Sequence, residues 1–384
     1  MLVAAIGVSD DIDVTTMVTE VVNQCREKLG GQQPQLGLLF GSNMDADYPA
    51  ILDYIHAQFP QMQLIGCTTD GEITPLAGVS EDSLALLALH SDSIEFATAI
   101  AENISTNAEV ALTRAYNEAR AKLSSPPQCA FLFPDGITSI NIPFDALIRT
   151  VFGENFPVFG GSAGDHFLFH HTLQFYDHSI FRDSVPLILL GGEVTIDGIT
   201  QITPEPIGLR YPVSHHERNI IYEIDSQPAL SFYRKHLGAF NQQAIMFPMA
   251  VLDENGQCLY FRSPIDSDPA TGSLILIGTL PEQCSIRLSL TSRNDILDQV
   301  QASTRKLLDR CGTPEPELLL IFACTSIRYT LGSRVKELLA GIAPRNIPFF
   351  GFFCYGEIGP SLPGGEVTFH SDSCVIVSIR SNRR

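Results

Sequence analysis

The sequence has 384 residues and a formal charge of −19, from 43 acidic and 24 basic side chains. A chain this acidic repels phosphate backbones, and no basic run marks a contact with anionic lipid, so nucleic-acid binding and membrane insertion are not expected. Apolar residues make up 45% and charged residues only 17%, which predicts large buried cores and about two or three domains.

The cellular compartment is predicted to be the cytoplasm. The amino terminus has no basic region and soon meets Asp10 and Asp11, unlike a secretory signal. The longest apolar stretches, 84–89 and 185–190, have the length of strands rather than of membrane spans. Nine cysteines are scattered without a C-x-x-C pair, so we expect neither a disulfide framework nor a metal site.

Three segments share one order of predicted elements: helix, strand, helix, strand, glycine turn and return strand. These copies run over about 10–92, 105–192 and 293–380. In each copy the strand phenylalanine is followed, after 26, 27 or 29 residues, by the motif glycine, which is Gly66, Gly160 or Gly351. The return strands open with the same dipeptide, at Asp82-Ser83, Asp183-Ser184 and Asp372-Ser373. The opening helices are expected at about 14–29, 107–123 and 293–311.

The region between the second and third copies has a different pattern. Short strand-like pieces at 199–202, 220–224 and 244–292 are separated by turn signals, which predicts an antiparallel meander. The continuous apolar strands of the copies predict mixed or parallel sheets covered by helices. We therefore expect an α/β protein of two domains, 1–220 with two copies, and 221–384 with the meander (about 244–292) and the third copy.

The three glycine turns are the predicted lining of a ligand cleft. Glycine permits a close approach of the backbone, and ligands of open α/β sheets collect at the carboxyl ends of strands. A purely structural alternative stays open, in which the glycines allow tight packing and the aspartates of the Asp-Ser pairs cap turns.

These motifs resemble the FIST domain family. Phe322-Ala-Cys324, Pro348-Phe-Phe-Gly351-Phe-Phe-Cys-Tyr-Gly356-Glu357 and Phe369-His370 resemble its carboxy-terminal domain, and Ile65-Gly66-Cys67-Thr-Thr-Asp-Gly71-Glu72 and Phe159-Gly160-Gly-Ser162-Ala-Gly164-Asp165 its amino-terminal domain. The resemblance implies an intracellular sensory module of bacteria that binds a small ligand such as an amino acid. Some similar proteins bind haem, sense nitric oxide and act on a histidine kinase or a cyclic-di-GMP enzyme. Output would then pass to a separate signalling protein.

Arg328 is singled out among the candidate ligand-binding residues. Its guanidinium fork suits a carboxylate, although an ion pair with Glu337 or Glu357 is the structural alternative. Glu72 and Glu357 share one repeat position and are expected either to accept hydrogen bonds from an ammonium group or to pin a loop. The full candidate set is Ser42, Thr68, Asp70, Glu72, Asp135, Gly161, Ser162, Asp165, Cys324, Arg328, Tyr355, Gly356 and Glu357.

Two further patterns suggest a catalytic or a haem-binding site. Gly160–Gly164 matches G-x-S-x-G, but a loop and a strand are expected after Ser162 where a nucleophile elbow needs a helix, so we predict no enzyme activity. His166 and His170 are candidate haem ligands, with solvent-exposed histidine as the alternative. No cofactor is firmly predicted.

The sequence thus predicts a cytoplasmic sensor that binds a small metabolite between the glycine turns and acts on a separate partner protein. A haem-based nitric-oxide sensor and a ligand-free interaction scaffold are the alternatives, and a homo-oligomer stays open.

Overall fold

The computed structural model describes residues 1–342, 346–361 and 364–382. Three units of like topology and one inserted sheet make up this part of the chain. The first unit consists of β1 (Leu2–Ser9), α1 (Val14–Leu29), β2 (Leu36–Gly41), α2 (Tyr48–Gln58), β3 (Gln63–Thr68), β4 (Glu72–Thr74), β5 (Gly78–Ser80) and β6 (Leu84–Ser91).

The second unit repeats this order. It consists of β7 (Ile94–Glu102), α3 (Ile104–Lys122), β8 (Cys129–Leu132), α4 (Phe144–Phe152), β9 (Val158–Gly161), β10 (Gln174–Tyr176), β11 (Ser179–Phe181) and β12 (Ser184–Gly192).

The third unit begins with one strand, is interrupted by the inserted sheet, and then continues. Its first strand is β13 (Val194–Ile202). The insertion consists of β14 (Glu205–Glu217), β15 (Ile220–Ile224), β16 (Gln227–Pro228), α5 (Ala229–Leu237), β17 (Met249–Leu252), β18 (Cys258–Arg262), β19 (Pro264–Asp268), β20 (Ser273–Leu276) and β21 (Ser285–Leu290). The unit resumes with α6 (Arg293–Cys311), β22 (Leu318–Cys324), α7 (Thr325–Leu331), α8 (Val335–Ile342), β23 (Phe349–Cys354), β24 (Glu357–Pro360), β25 (Val367–His370) and β26 (Ser373–Ser381).

Each unit lends a hairpin to the sheet of another unit. Its own sheet contains two parallel strands, an antiparallel return strand and the first strand at the edge. The hairpin β4–β5 then pairs with β23, β10–β11 with β3, and β24–β25 with β9. The three units are therefore joined in a ring by backbone hydrogen bonds.

The inner faces of the three sheets share one aromatic core. Phe40, Phe133 and Phe322 hold equivalent positions on β2, near the end of β8 and on β22, with ring centroids 5.6 Å apart for the first pair and 6.0 Å for the second. The helices cover the outer faces; α1, for example, buries Met17 and Val21 against the first sheet. The carboxyl ends of the parallel strands consequently meet around this core.

The motif glycines hold the parallel strands close together. A Cβ atom on Gly66, Gly160 or Gly351 would lie 1.8 to 1.9 Å from a carbonyl oxygen of the neighbouring strand. Those carbonyls belong to the residues directly opposite, Leu39, Leu132 and Ile321. Within the strands, these glycines therefore allow tight packing, which is the structural alternative. The bends of the chain come after the glycines.

The α/β class, the three units and the antiparallel meander are confirmed. The meander extends further than 244–292, because β14 and β15 belong to its sheet. The domain boundary at 220/221 stays a prediction. Strand β13 precedes this boundary and β26 follows it, yet the two strands pair along the whole length of β13. Among the described helices, none is both long and apolar enough to cross a bilayer.

Candidate functional site

The bends after the parallel strands interlock at one end of the core. Asp70 N–H donates to Phe353 O at 3.0 Å, Gly164 N–H to Thr68 O at 3.0 Å, and Ser162 N–H to Gly356 O at 2.8 Å. Each of these bonds joins two different units. The structure thus brings the predicted bends together, and it buries nearly all of their candidate side chains.

Each unit contains one clamp between the start of its hairpin and the start of its return strand. Ser373 Oγ donates to Glu357 Oε2 at 2.8 Å, and Ser184 Oγ donates to Gln174 Oε1 at 3.2 Å. In the first unit, Ser83 Oγ donates to Glu72, which also accepts from Ser42 Oγ at 2.9 Å. Glu72 and Glu357 therefore pin loops.

The same clamps explain the Asp-Ser dipeptides. Asp82, Asp183 and Asp372 adopt the left-handed conformation, with φ of 50°, 49° and 58°. Short polar side chains tolerate that conformation at a turn, so each aspartate turns the chain while the next serine closes the clamp. Burial raises the pKa of Glu72 to about 7 and that of Glu357 to about 8, although the hydrogen bonds from hydroxyl groups lower both values.

Asp70 lies at the junction of all three units. It is fully buried, and its Oδ1 accepts from the His166 backbone N–H at 2.6 Å. A Cβ on Gly164 would lie 2.3 Å from Oδ1, so only glycine permits this approach. Oδ2 has no hydrogen-bond partner among the described residues. Burial raises the pKa of Asp70 to about 6, while His166, the Thr325 hydroxyl and, more weakly, Arg328 lower it. The Thr325 hydroxyl lies beside Asp70 but donates to Cys354 O at 3.0 Å.

Arg328, on α7, is the cation beside Asp70. Its Nη1 donates to the Asp70 carbonyl oxygen, and its Nη2 pairs with Glu81. The predicted partners were wrong, because Glu337 pairs instead with Arg334 and Glu357 with its serine clamp. Glu81 comes from the turn before β6, where the fold of another unit places it. Its side chain is 54% exposed, so the ion pair lies at the surface end of the site.

A strained aromatic loop, 165–171, covers Asp70. His166, Phe167 and Phe169 all have positive φ, near +59°, +59° and +52°, which bulky residues rarely adopt. Asp165 holds the loop by accepting from the backbone N–H groups of Phe169, His170 and His171 at 2.7 to 2.9 Å, and from the Tyr355 hydroxyl.

The aromatic rings of this loop pack on two tyrosines. Phe169 stacks on Tyr355 at 4.5 Å between centroids, and Phe167 contacts Tyr329 at 4.6 Å. We call Asp70, Arg328, Glu81, Tyr329 and loop 165–171 the Asp70 site. Tyr329 and Glu81 were missed in the sequence; Tyr329 follows Arg328 directly, but nothing local links Glu81 to Arg328.

The other candidates line the junction as structural groups. Asp135 accepts from the N–H groups of Ile137 and Thr138 at 3.0 and 2.8 Å and thereby fixes the bend after β8. The buried Ser162 hydroxyl faces Gly356 O at 3.4 Å, and a loop followed by β10 comes after it. Burial raises the pKa of the Cys324 thiol well above its usual value. Gly161 packs against Cys354.

Haem does not fit the arrangement around the two candidate histidines. Nε2 of His166 lies 2.6 Å from the Ser42 carbonyl oxygen, so this nitrogen is engaged. His170 is exposed, without an apolar pocket of its own. No group of three or more His, Cys, Asp or Glu side chains suited to a metal ion occurs within the described ranges.

Comparisons with known proteins cover the chain. The family profile of the FIST N domain matches residues 35–227, and that of the FIST C domain matches residues 229–360. An uncharacterised protein of Mycobacterium bovis is 24% identical over 92% of this chain and 93% of its own. One of Mycobacterium tuberculosis is 26% identical over 92% and 94%. A solved cyanuric acid hydrolase of A. caulinodans aligns over both whole chains at 8% identity with a TM-score of 0.43, too low to support an argument.

Proposed function

The chain belongs to the FIST family of sensory and signal-transduction domains, and on that basis we propose that it senses an amino acid or a similar small metabolite at the Asp70 site. The ligand supplies an ammonium group to Asp70 and a carboxylate to Arg328. Binding changes the conformation of loop 165–171, and a separate signalling protein responds to that change. A histidine kinase or a cyclic-di-GMP enzyme is the class of partner that the family implies.

The observation that carries the proposal is the free oxygen of Asp70. A buried carboxylate oxygen without a hydrogen bond is costly, and native proteins rarely leave one. An ammonium group donates three hydrogen bonds and carries the opposite charge. Because the pKa of Asp70 is about 6, its carboxylate is mostly ionised at neutral pH and attracts such a cation.

Arg328 and Glu81 support the carboxylate half of the ligand. The Nη2 group of Arg328, whose side chain is 10% exposed, pairs with the Glu81 side chain, which is 54% exposed. A ligand carboxylate in place of Glu81 keeps the buried guanidinium paired. The Nη1 bond to the Asp70 carbonyl meanwhile keeps the guanidinium beside the buried carboxylate.

Loop 165–171 supports the relay. Asp70 is fully buried and its Oδ1 accepts from the His166 N–H of the loop, so a ligand binds Asp70 only when the groups around it move. Its positive-φ residues each cost on the order of 1–3 kcal/mol, which brings an alternative conformation closer in free energy. Leu168 at the loop tip is 56% exposed, which gives a partner protein a surface that moves with the loop.

The proposal involves no catalysis and places the protein in the cytoplasm. Ser162 has a carbonyl rather than a histidine as its hydrogen-bond partner, which supports a structural role for G-x-S-x-G. All nine cysteines are free thiols, as a reducing compartment favours.

A thermal-shift screen of the purified protein against the twenty common amino acids tests the proposal. A ligand at a hundred times its Kd is expected to stabilise the protein by about 3 kcal/mol and so to raise Tm by several degrees. Asp70→Asn and Arg328→Lys are expected to abolish the shift. Arg334→Lys, at an exposed ion pair two turns away, is the matched control and keeps it.

Three results would contradict the proposal. One is a shift that survives in both Asp70→Asn and Arg328→Lys. The second is a haem absorption band in the purified protein that disappears in His166→Ala, which would establish the haem-sensor alternative. The third is partner capture that is identical with and without every amino acid, which would favour the ligand-free scaffold.

A further inference from the structure

The first strand of the first unit has an unpaired edge. β1 lies at the end of its sheet and pairs only with β6 among the described strands. Gln24 shows which residues face outward, because its side chain accepts from Val8 N–H at 2.9 Å and donates to Val8 O at 3.1 Å. Directions alternate along an antiparallel strand, so the backbone groups of Ala4 and Ile6 also face outward. No described residue hydrogen-bonds to them there.

The equivalent edge of the second unit is satisfied by the chain itself. Register against the return strands places Phe96 and Thr98 of β7 at the positions of Ala4 and Ile6. The side-chain amide of Gln63 donates to Phe96 O at 3.0 Å and accepts from Thr98 N–H at 3.1 Å. Lys122 Nζ donates to Thr98 O at 2.7 Å. An amide group and an ammonium group thus both bind this edge.

The third unit also engages its edge. Gly198 of β13 is the equivalent of Ile6, and its carbonyl accepts from Arg310 at 3.0 Å. In the groove beside β1, the position of Gln63 is taken by Pro348, since each lies three residues before its motif glycine. A proline side chain has no hydrogen-bonding group. Pro157 likewise lies three residues before Gly160, so Gln63 is the exception among the three copies. Among the described residues, β1 has neither the amide contact of β7 nor the guanidinium contact of β13 at its Ala4 and Ile6 positions.

The open edge lies at the bottom of a groove. The groove has a volume of about 1000 Å³ and is walled by the last turns of α1, the β4–β5 turn and the residues before β23. Ala4 and Ile6 are each only 8% exposed, so the edge is recessed. A second copy of this chain cannot reach it with its own β1, which is recessed in the same way. The occupant has to be narrow.

We propose that this groove binds an extended, net-basic peptide segment of a partner protein, which adds to β1 as a further strand. The segment supplies the amide N–H and C=O groups that Gln63 supplies on β7. Alternate side chains contact the apolar wall at Leu76, Ile347 and Phe349. The groove is lined by one acidic and one basic side chain, Glu27 and Lys28, so the preference for a basic partner comes from the charge of −19 on the whole chain. This docking surface is separate from the Asp70 site and does not depend on it.

Fluorescence polarisation with a defined probe tests the proposal. The probe is a fluorescein-labelled heptapeptide that alternates valine with lysine, and its N-methylated analogue lacks the donors that a strand needs. We expect the full-length protein to bind the first probe and not the second. Pro348→Gln, which recreates Gln63 in this groove, is expected to weaken binding by about tenfold, as the loss of two backbone hydrogen bonds implies.

Hydrogen exchange of single amides gives a second readout that does not need the probe. In the free protein, Ala4 and Ile6 N–H groups are expected to exchange faster than that of Thr98, and Pro348→Gln is expected to slow the exchange of Ile6. Gln63→Ala is the reciprocal control, because it is expected to expose the Thr98 N–H and to create a second probe site.

Three outcomes would overturn the proposal. Equal binding of the two probes would show non-specific electrostatic attraction. Probe binding that is unchanged in Pro348→Gln and leaves the exchange of Ala4 and Ile6 unchanged would place the peptide elsewhere. A dimer that Pro348→Gln dissociates would make a second copy the occupant.

Discussion

The same hydrogen-bond clamp is formed by three side chains, two of which are carboxyls (Glu72 and Glu357) and one a neutral amide (Gln174). Each starts a hairpin strand and accepts a hydrogen bond from the serine that opens the return strand of its unit. Because the neutral amide of Gln174 forms the clamp of the second unit, the clamp requires a hydrogen-bond acceptor and not a negative charge. Relative to the unfolded chain, burial in the folded protein favours the protonated form of both carboxyls, as their raised pKa values indicate.

Glu72→Gln tests this at a single position. The pKa of Glu72 in the folded protein, about 7, exceeds the ordinary 4.5, so the folded state binds its proton more tightly than the unfolded state does. Stability from this group is fully present below pH 4.5 and is lost as the pH rises through 7. The loss amounts to about 3 kcal/mol for a pKa shift of this size. Urea unfolding at pH 5 and pH 8 is expected to show a smaller pH-dependent loss in the variant than in the wild type.

Gln174→Glu is the reciprocal control and is expected to add a loss of stability at pH 8. The prediction would be contradicted if the free energy of unfolding of the wild type rises between pH 5 and pH 8 and Glu72→Gln leaves this pH dependence unchanged.

The motif glycines give a second prediction at this scale. Gly351→Ala places a methyl group within 1.9 Å of the Ile321 carbonyl oxygen, and a backbone atom in a sheet cannot move away. The variant is expected to lose on the order of 3 kcal/mol or more of stability or to fail to fold. Gly341→Ala, on α8, meets the Cβ of Gln301 at 3.1 Å and its Cα at 3.3 Å, which a small shift of the helices relieves, and it serves as the control in the same chemical denaturation. Equal stability of the two variants would show that the strands have room to separate.

Among the elements, loop 165–171 is the one whose conformation depends on a single side chain. Asp165→Asn removes the charge that accepts three backbone N–H groups and the Tyr355 hydroxyl, while the loop retains its positive-φ residues. Chymotrypsin cleavage after Phe167 or Phe169 is expected to accelerate by roughly tenfold to a hundredfold. Asp183→Asn, which removes an aspartate that accepts from the backbone N–H and the hydroxyl of Ser105 at another turn, is the control. Cleavage at the same rate in both variants would show that Asp165 does not hold the loop.

The sequence predicts those elements whose signals are local. Apolar runs with Phe322 or Phe133 mark the central strands, and α1 and α6 begin and end where the helical stretches do. The hairpin β4–β5 was missed, because its three-residue strands carry little signal and its partner β23 lies in another unit. The edge strand β1 was missed as well, although it has eight residues and pairs with β6 of its own unit. The same limit applies to the site. The carboxyl ends of strands indicated Asp70 and Arg328, whereas their pairing with Glu81 and with loop 165–171 depends on how the units assemble.

For the whole molecule, the exchanged hairpins make the three units depend on one another. Strand β4 of the first unit pairs with β23 of the third, and β24 of the third pairs with β9 of the second. The aromatic core likewise draws Phe40, Phe133 and Phe322 from three sheets. Cutting the chain at the predicted boundary removes a neighbouring strand from a sheet in each fragment and opens this core to water.

Separate production of residues 1–220 and 221–384 therefore is expected to give two fragments without a cooperative thermal transition, because each loses backbone pairing and apolar burial together. Mixing them is expected to restore the circular dichroism spectrum and the single melting transition of the intact chain, since every pairing partner is then present.

The insertion contributes to this dependence through Arg262, which is 1% exposed and contacts Asp145 of the second unit and the Phe369 carbonyl of the third. Calorimetry of both fragments, alone and mixed, measures the effect. A fragment that melts cooperatively by itself near the Tm of the whole chain would mean that it folds as an independent domain.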